Sequence, residues 1–254
     1  MTGFVDVPGA RLEVERIDVG RAYASPIVML HEGLGSVAMW KDFPHRVAHA
    51  ANRDVVVYSR AGYGRSSPAA LPYGVRYMHD EALVVLPALL DACGIERPIL
   101  LGHSDGASIA LIHAGASSRP VAGLALMAPH VIVEDLSIAS IAAAKVAWRS
   151  TDLRARLARY HDDVDRAFAG WNDIWLHPDF RAWNIEEHVR DVRCPVLAIQ
   201  GEDDEYGTMD QIERVARLAP DVELVRLADC RHSPHRDQPQ AVLDALVRFV
   251  DRLP

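Results

Sequence analysis

Six short apolar runs recur along the chain: PIVML (26–30), DVVVY (54–58), PILL (98–101), GLALM (123–127), PVLAI (195–199) and VELVRL (222–227). None alternates strictly between apolar and polar, so each reads as a strand buried on both faces. Helical patterning occupies roughly 37–50, 76–93, 105–116, 209–219 and 238–252, between most of these runs. Parallel neighbours cannot be joined by a tight turn, so strands alternating with helices impose crossovers and a mainly parallel sheet with helices on its faces. Ahead of them, RLEVERID (11–18) does alternate, as a half-exposed antiparallel strand would.

One interval breaks the rhythm. About 65 residues separate GLALM from PVLAI without a clear strand, and a structureless loop that long is uncommon. The stretch YHDDVDRAFAGWNDIWLHPDFRAWNIEEH (160–188) carries amphipathic helical patterning instead. A helical insertion over one end of the sheet is expected, dividing the chain into a core of 1–129 and 192–254 and an insertion of 130–191. Trp148, Trp171, Trp175 and Trp183 fall inside it, and packing of the insertion is the first reading for each.

Gly102-His103-Ser104-Asp105-Gly106 stands between the run PILL and the helix pattern of 105–116. This is G-x-S-x-G in the strand–turn–helix setting of a nucleophile elbow. A sharp turn leaves the serine hydroxyl proud, glycines on either side let strand and helix approach, and the helix N-terminus aims N–H groups at a developing oxyanion. Serine is a weak nucleophile at neutral pH and needs a base that is itself oriented by an acid. Beyond PVLAIQ lies the acidic turn Gly201-Glu202-Asp203-Asp204-Glu205. Beyond VELVRLAD lies Cys230-Arg231-His232-Ser233-Pro234-His235. Both loops are expected at the sheet edge that carries Ser104, where open α/β sheets bind ligands.

This order of serine, acid and histidine, with its spacing, resembles that of the α/β-hydrolases from Ile27 to the final helix, with the insertion in the place of that family's cap. The resemblance implies a catalytic set of Ser104, Asp204 and His232. The family's G-x-x-D turn selects Asp204 over Asp203, and H-x-P-H before the last helix matches at its first histidine. Arg231 stands where the family usually has glycine, so His235 stays as the second choice. His31-Glu32-Gly33-Leu34-Gly35-Ser36 is similar to the family's H-G-x-x-G loop, with Glu32 in place of the first glycine. It implies an oxyanion hole made by the N–H groups of Gly33 and Asp105, with Glu32 as an acceptor that fixes the loop at the rim of the substrate site. YSRAGYGRSSP (58–68) resembles the family's turn after the next strand, whose role is structural, so Arg60 and Ser66 are placed outside the active site.

Ser104 disfavours the alkyl-enzyme chemistry of haloalkane dehalogenases and epoxide hydrolases, which carry aspartate there. Ser233 after His232 disfavours C–C bond hydrolases, which often have tryptophan. Asp105 resembles the acid of amino-ester hydrolases of the valacyclovir-hydrolase type, where it holds a substrate amino group. A carboxylate at a helix N-terminus is the simpler reading. His130 and Glu134 follow GLALMAP and are candidates to line the pocket, His130 as a substrate-binding residue.

The formal net charge of −8 and the lack of a Lys/Arg cluster argue against a nucleic-acid binder. Cys93, Cys194 and Cys230 lie far apart without metal-finger spacing, which favours a reducing compartment. No signal-peptide pattern opens the sequence and no apolar run reaches the ~20 residues of a membrane helix, so a cytoplasmic protein is expected. No phosphate-cradling motif follows a strand, so neither nucleotide nor dinucleotide is implied. His79, His161, His177 and His188 are scattered without metal-ligand spacing, and the chemistry of the expected catalytic set needs no metal or cofactor. The expectation is an α/β-hydrolase fold acting on a small acyl compound, a carboxylic ester first. Lactonase, thioesterase, amino-ester hydrolase, cofactor-free haloperoxidase and a ligand receptor without turnover are the rivals.

Overall fold

The structure, a computed structural model, describes residues 2–20 and 24–253. Among them eight strands form one sheet: β1 (Thr2–Val7), β2 (Ala10–Ile17), β3 (Ile27–Leu30), β4 (Val55–Tyr58), β5 (Ile99–His103), β6 (Gly123–Met127), β7 (Val196–Gly201) and β8 (Val222–Leu227). Their order is β1-β2-β4-β3-β5-β6-β7-β8. β3 to β8 run parallel, and β1 and β2 are antiparallel additions at one edge. Every strand read from the sequence forms. β1 is an addition, joined to β2 by a turn in which Gly9 takes a φ of 80°, a region that favours glycine. It is mostly exposed and carries no apolar run to announce it. β8 departs from expectation: as the far edge strand it is half-buried, not enclosed.

The helices are α1 (Phe43–Ala51), α2 (Tyr77–Asp80), α3 (Leu86–Cys93), α4 (Asp105–Ala116), α5 (Asp135–Ser150), α6 (Leu153–Leu157), α7 (Val164–Trp175), α8 (Glu186–Asp191), α9 (Asp210–Leu218), α10 (Pro234–Asp237) and α11 (Pro239–Val250). α1 and α11 pack their apolar residues on one face of the sheet, while α3, α4, α8 and α9 pack theirs on the other. α4 is buried along most of its length, which explains its nearly unbroken apolar sequence. Between α2 and α3 a π-turn, Glu81–Val85, widens the helix. Pro87 lies just beyond it and has no amide to bond back one turn.

The segment between β6 and β7 carries α5 to α8, and a bridge between Ile132 and Asn184 closes its base. α8 lies against α4, where a Cβ on Gly115 would collide with the His188 carbonyl. No helix among the described residues is long and apolar enough to cross a membrane. From β3 the chain lays β4 on one side and then crosses to lay β5 on the other. The crevice outside the carboxyl ends of β3 and β5 is therefore the topological switch point, where such sheets bind ligands.

Candidate active site

Ser104 sits between the end of β5 and the first turn of α4 with φ 53° and ψ −119°. That backbone costs a non-glycine residue ~1–3 kcal/mol and persists only where its surroundings enforce it. The enforcement is visible. A Cβ on Gly102 would strike Gly106 and Ala107, and one on Gly106 would strike the Leu30 carbonyl of β3. The Ser104 amide donates to Met127 O (2.9 Å), while its carbonyl accepts from the amides of Ala107 (2.9 Å) and Ser108 (3.1 Å).

His232 enters from the loop between β8 and α10. Its Nε2 lies 3.0 Å from Ser104 Oγ, and its Nδ1 lies 2.8 and 2.9 Å from the two carboxylate oxygens of Asp204. A carboxylate only accepts, so Nδ1 carries the proton and Nε2 is left to accept from the serine. Asp204 follows β7 and also accepts from Gln200 Nε2 (2.7 Å) and from the amides of Tyr206 (2.8 Å) and Gly207 (3.2 Å). Burial pushes its carboxyl up, but the His232 hydrogen bond and charge and the Tyr206 amide outweigh that and hold it below the usual range. Asp203 is exposed. His235 is 4% exposed and wedged between Trp40 and Phe43, ring centroids 4.8 and 5.4 Å away. Neither of its ring nitrogens has a hydrogen-bond partner among the described residues, and burial drives its pKa well down. The structure thus brings Ser104, His232 and Asp204 together and leaves His235 and Asp203 apart.

Gly33 and Asp105 both border the cavity above Ser104. The Trp171 indole lies so close to Gly33 that a Cβ there would collide with it. Asp105 opens α4, but its side chain turns inward and is fully buried. Its Oδ2 accepts from the Tyr77 hydroxyl (2.8 Å) and lies 3.6 Å from the Arg60 guanidinium. Trp175 Nε1 in turn donates to the Tyr77 hydroxyl (3.0 Å). Burial raises the Asp105 carboxyl above its ordinary value, against the pull of Arg60 and Tyr77. Arg60 and Ser66 are structural: Arg60 donates to the Glu32 carbonyl (2.9 Å), and Ser66 Oγ joins β2 to the turn after β4.

The cavity holds about 130 Å³, and Glu32, His130, Trp171, Trp175 and Tyr206 contribute to its wall. His130 is anchored by Ser108, whose hydroxyl donates to its carbonyl (2.7 Å) and accepts from its amide (3.0 Å). Burial first, and the neighbouring His232 next, push its pKa to about 3, so the ring is neutral. Glu134 does not line the cavity. It accepts from Thr208 and from Gln211 Nε2, tying the start of α5 to α9. Two tryptophans depart from the packing reading: Trp171 and Trp175, one turn apart on α7, face the cavity, whereas Trp148 stacks on Phe168 and Trp183 on Phe180. The i, i+4 spacing was the available signal. Tyr77 and His103 gave none. Among the described residues no three His, Cys, Asp or Glu side chains are grouped as a metal ion would require.

A profile of the alpha/beta hydrolase family matches residues 27–245. N-formylmaleamate deformylase of Pseudomonas putida is 26% identical over 242 residues, covering 88% of this chain and 88% of that protein. RutD of Pseudomonas savastanoi pv. phaseolicola, named as a carbamate hydrolase, is 27% identical over 252 residues, covering 89% of this chain and 94% of that one. The enol-lactonase of Burkholderia xenovorans LB400 shares the fold with a TM-score of 0.78 at 17% identity, covering 98% of this chain and all of that one. With a mainly parallel sheet of this order, a serine at its elbow and a family match across most of its length, the chain belongs to the alpha/beta hydrolase family of enzymes.

Proposed function

We propose that the chain is a serine hydrolase that cleaves a small carboxylic ester through an acyl-enzyme. The observation that supports this most is the unbroken series from Ser104 Oγ through the His232 ring to the Asp204 carboxylate, at the mouth of a small cavity. Ser104 attacks the acyl carbon while His232 Nε2 takes its proton, and Asp204 stabilises the imidazolium that forms. The oxyanion sits against the N–H groups of Gly33 and Asp105. His232 then gives its proton to the leaving alkoxide. In the second half it takes one from the water that attacks the acyl-enzyme and returns it to Ser104 Oγ as the acyl bond breaks. The aromatic wall and the volume of about 130 Å³ favour a short acyl group. An alcohol leaves more readily than an amine, which puts esters ahead of the C–N bonds in the names of the deformylase and carbamate relatives.

The test is multiple-turnover hydrolysis of p-nitrophenyl acetate and butyrate, with a formamide and a carbamate as comparators. Wild type should turn over the esters fastest. Ser104→Ala and His232→Ala should each lose at least ~10³-fold in kcat, and His235→Phe should stay within a few-fold. Full activity in Ser104→Ala would end the proposal, and a burst of one turnover would favour a receptor.

A further inference from the structure

The backbone of His232 is clamped from both sides. Its amide donates to Glu205 Oε2 (3.2 Å), and its carbonyl accepts from the ring Nε2 of His103 (2.7 Å). His103 is the residue just before the nucleophile and is 1% exposed. A carbonyl can only accept, so His103 Nε2 carries a proton. Its other nitrogen, Nδ1, faces Glu32 Oε2 at 3.4 Å, and Glu32 Oε1 lies 3.4 Å from the Arg236 guanidinium. Glu32 therefore stands where three segments meet: its own loop after β3, the elbow, and the stretch that carries His232 on a loop and Arg236 on α10. A Cβ on Gly35 would fall 2.5 Å from the Glu32 carboxylate, so the glycine leaves room for this placement. His31 keeps the loop upright from beneath. Its Nε2 accepts from the Arg60 amide (3.0 Å), which leaves Nδ1 to donate to the Glu32 carbonyl (2.6 Å).

We propose that Glu32 and His103 are positioning residues that form a brace, carboxylate to imidazole to His232 carbonyl, holding the His232 ring in line with Ser104. The inference rests on the serine-hydrolase reading. Glu32 orients the imidazole and His103 carries the contact to His232, so the residue that replaces the family glycine acts on the base and not on the substrate. Burial alone would raise the Glu32 carboxyl, yet His103 and then Arg236 hold it well below its usual range, so Glu32 bears its charge at that end of the brace. A base displaced by a fraction of an ångström transfers its proton poorly while the substrate still binds, so the loss belongs in kcat and not in KM.

The test is a two-residue cycle on p-nitrophenyl butyrate, with Ser104→Ala alongside. His103→Leu removes the donor and should lose 10- to 100-fold in kcat with KM within twofold. His103→Gln keeps an N–H donor near the position of Nε2 and should recover kcat to within about threefold of wild type, a rescue that lost packing would not show. Glu32→Gln keeps the shape and removes the charge. It should lower kcat roughly 10-fold beside His103 and by less than twofold in the His103→Gln background. Wild-type kcat in His103→Leu would overturn the brace, as would equal losses from Glu32→Gln in both backgrounds. The two glutamine variants decide the matter if His103→Leu fails to fold. If Ser104→Ala matches wild type, the hydrolase reading itself has failed and the brace falls with it.

Discussion

His232 and His235 lie three positions apart, and the sequence ranked them only through a family resemblance. The structure separates them by their surroundings: one ring spans Ser104 and Asp204, the other is packed tilted and edge-on among Trp40, Phe43 and His103. Which ring faced the sheet edge depended on Trp40 and Phe43, which lie about 190 residues upstream and leave no mark in local spacing. Ser104 was legible because its elbow needs glycines at fixed offsets. Glu134 was misplaced because strand-end position does not fix where a side chain turns. The burial of His235 has a consequence for stability. Its folded pKa lies well below 6.5, so between that value and 6.5 the unfolded chain binds a proton that the folded chain does not. Its contribution is therefore complete above pH 6.5 and falls as the pH drops below it, by up to about 1.4 kcal/mol per pH unit. Urea unfolding of wild type and His235→Phe at pH 7.5 and 5.0 isolates this one imidazole. Wild type should lose more stability than the variant on acidification, and parallel losses would refute the assignment.

α7 shows how an element sets specificity while its sequence reads only as amphipathic. Gly170 packs toward Tyr73, while Trp171 and Trp175 face the cavity with Trp171 pressed on Gly33. Trp171→Ala should open the acyl end. Each methylene buried there is worth about 0.8 kcal/mol, so the ratio of kcat/KM for octanoate over acetate p-nitrophenyl esters should rise at least ~10-fold. The same change should cost ~3–5 kcal/mol of stability, because Trp171 is 8% exposed. An unchanged chain-length profile would place the acyl group elsewhere. The enclosed strands were readable as elements because burial on both faces demands uninterrupted apolar residues. β1 was not, since its partner is β2 alone and most of its residues meet solvent. The π-turn at Glu81–Val85 was hidden too, although Glu81 accepts from the Tyr58 hydroxyl (2.8 Å) and Pro87 supplies a cause.

At the scale of the molecule, loops from β3, β5, β6, β7 and β8 converge because parallel strands all end at one edge. That convergence followed from the alternation of strands and helices, but the manner in which the segment after β6 closes over the edge did not. α5 is its least anchored helix. Of its 16 residues only Ser137 and Ile141 are buried, and Val146 is 65% exposed. Beside the stacking of Trp148 on Phe168 of α7, polar ties join it to the loop that bears Asp204: Ser137 Oγ donates to Tyr206 O and Ser140 Oγ to Glu205 O. Asn172 Nδ2 of α7 also donates to the Ile141 carbonyl (2.9 Å). Helices with little apolar burial open at lower free energy than the rest of a domain. Hydrogen exchange read by mass spectrometry should therefore find α5 and α6 exchanging at least ~10-fold faster than α4, which is enclosed between the sheet and α8. Because the ties run to Tyr206 and Glu205, opening of α5 should loosen the Asp204 loop as well, and peptides spanning 202–208 should exchange in step with it. Protection of α5 equal to that of α4 would show that the segment over the site is as fixed as the core, and that substrate enters without its displacement.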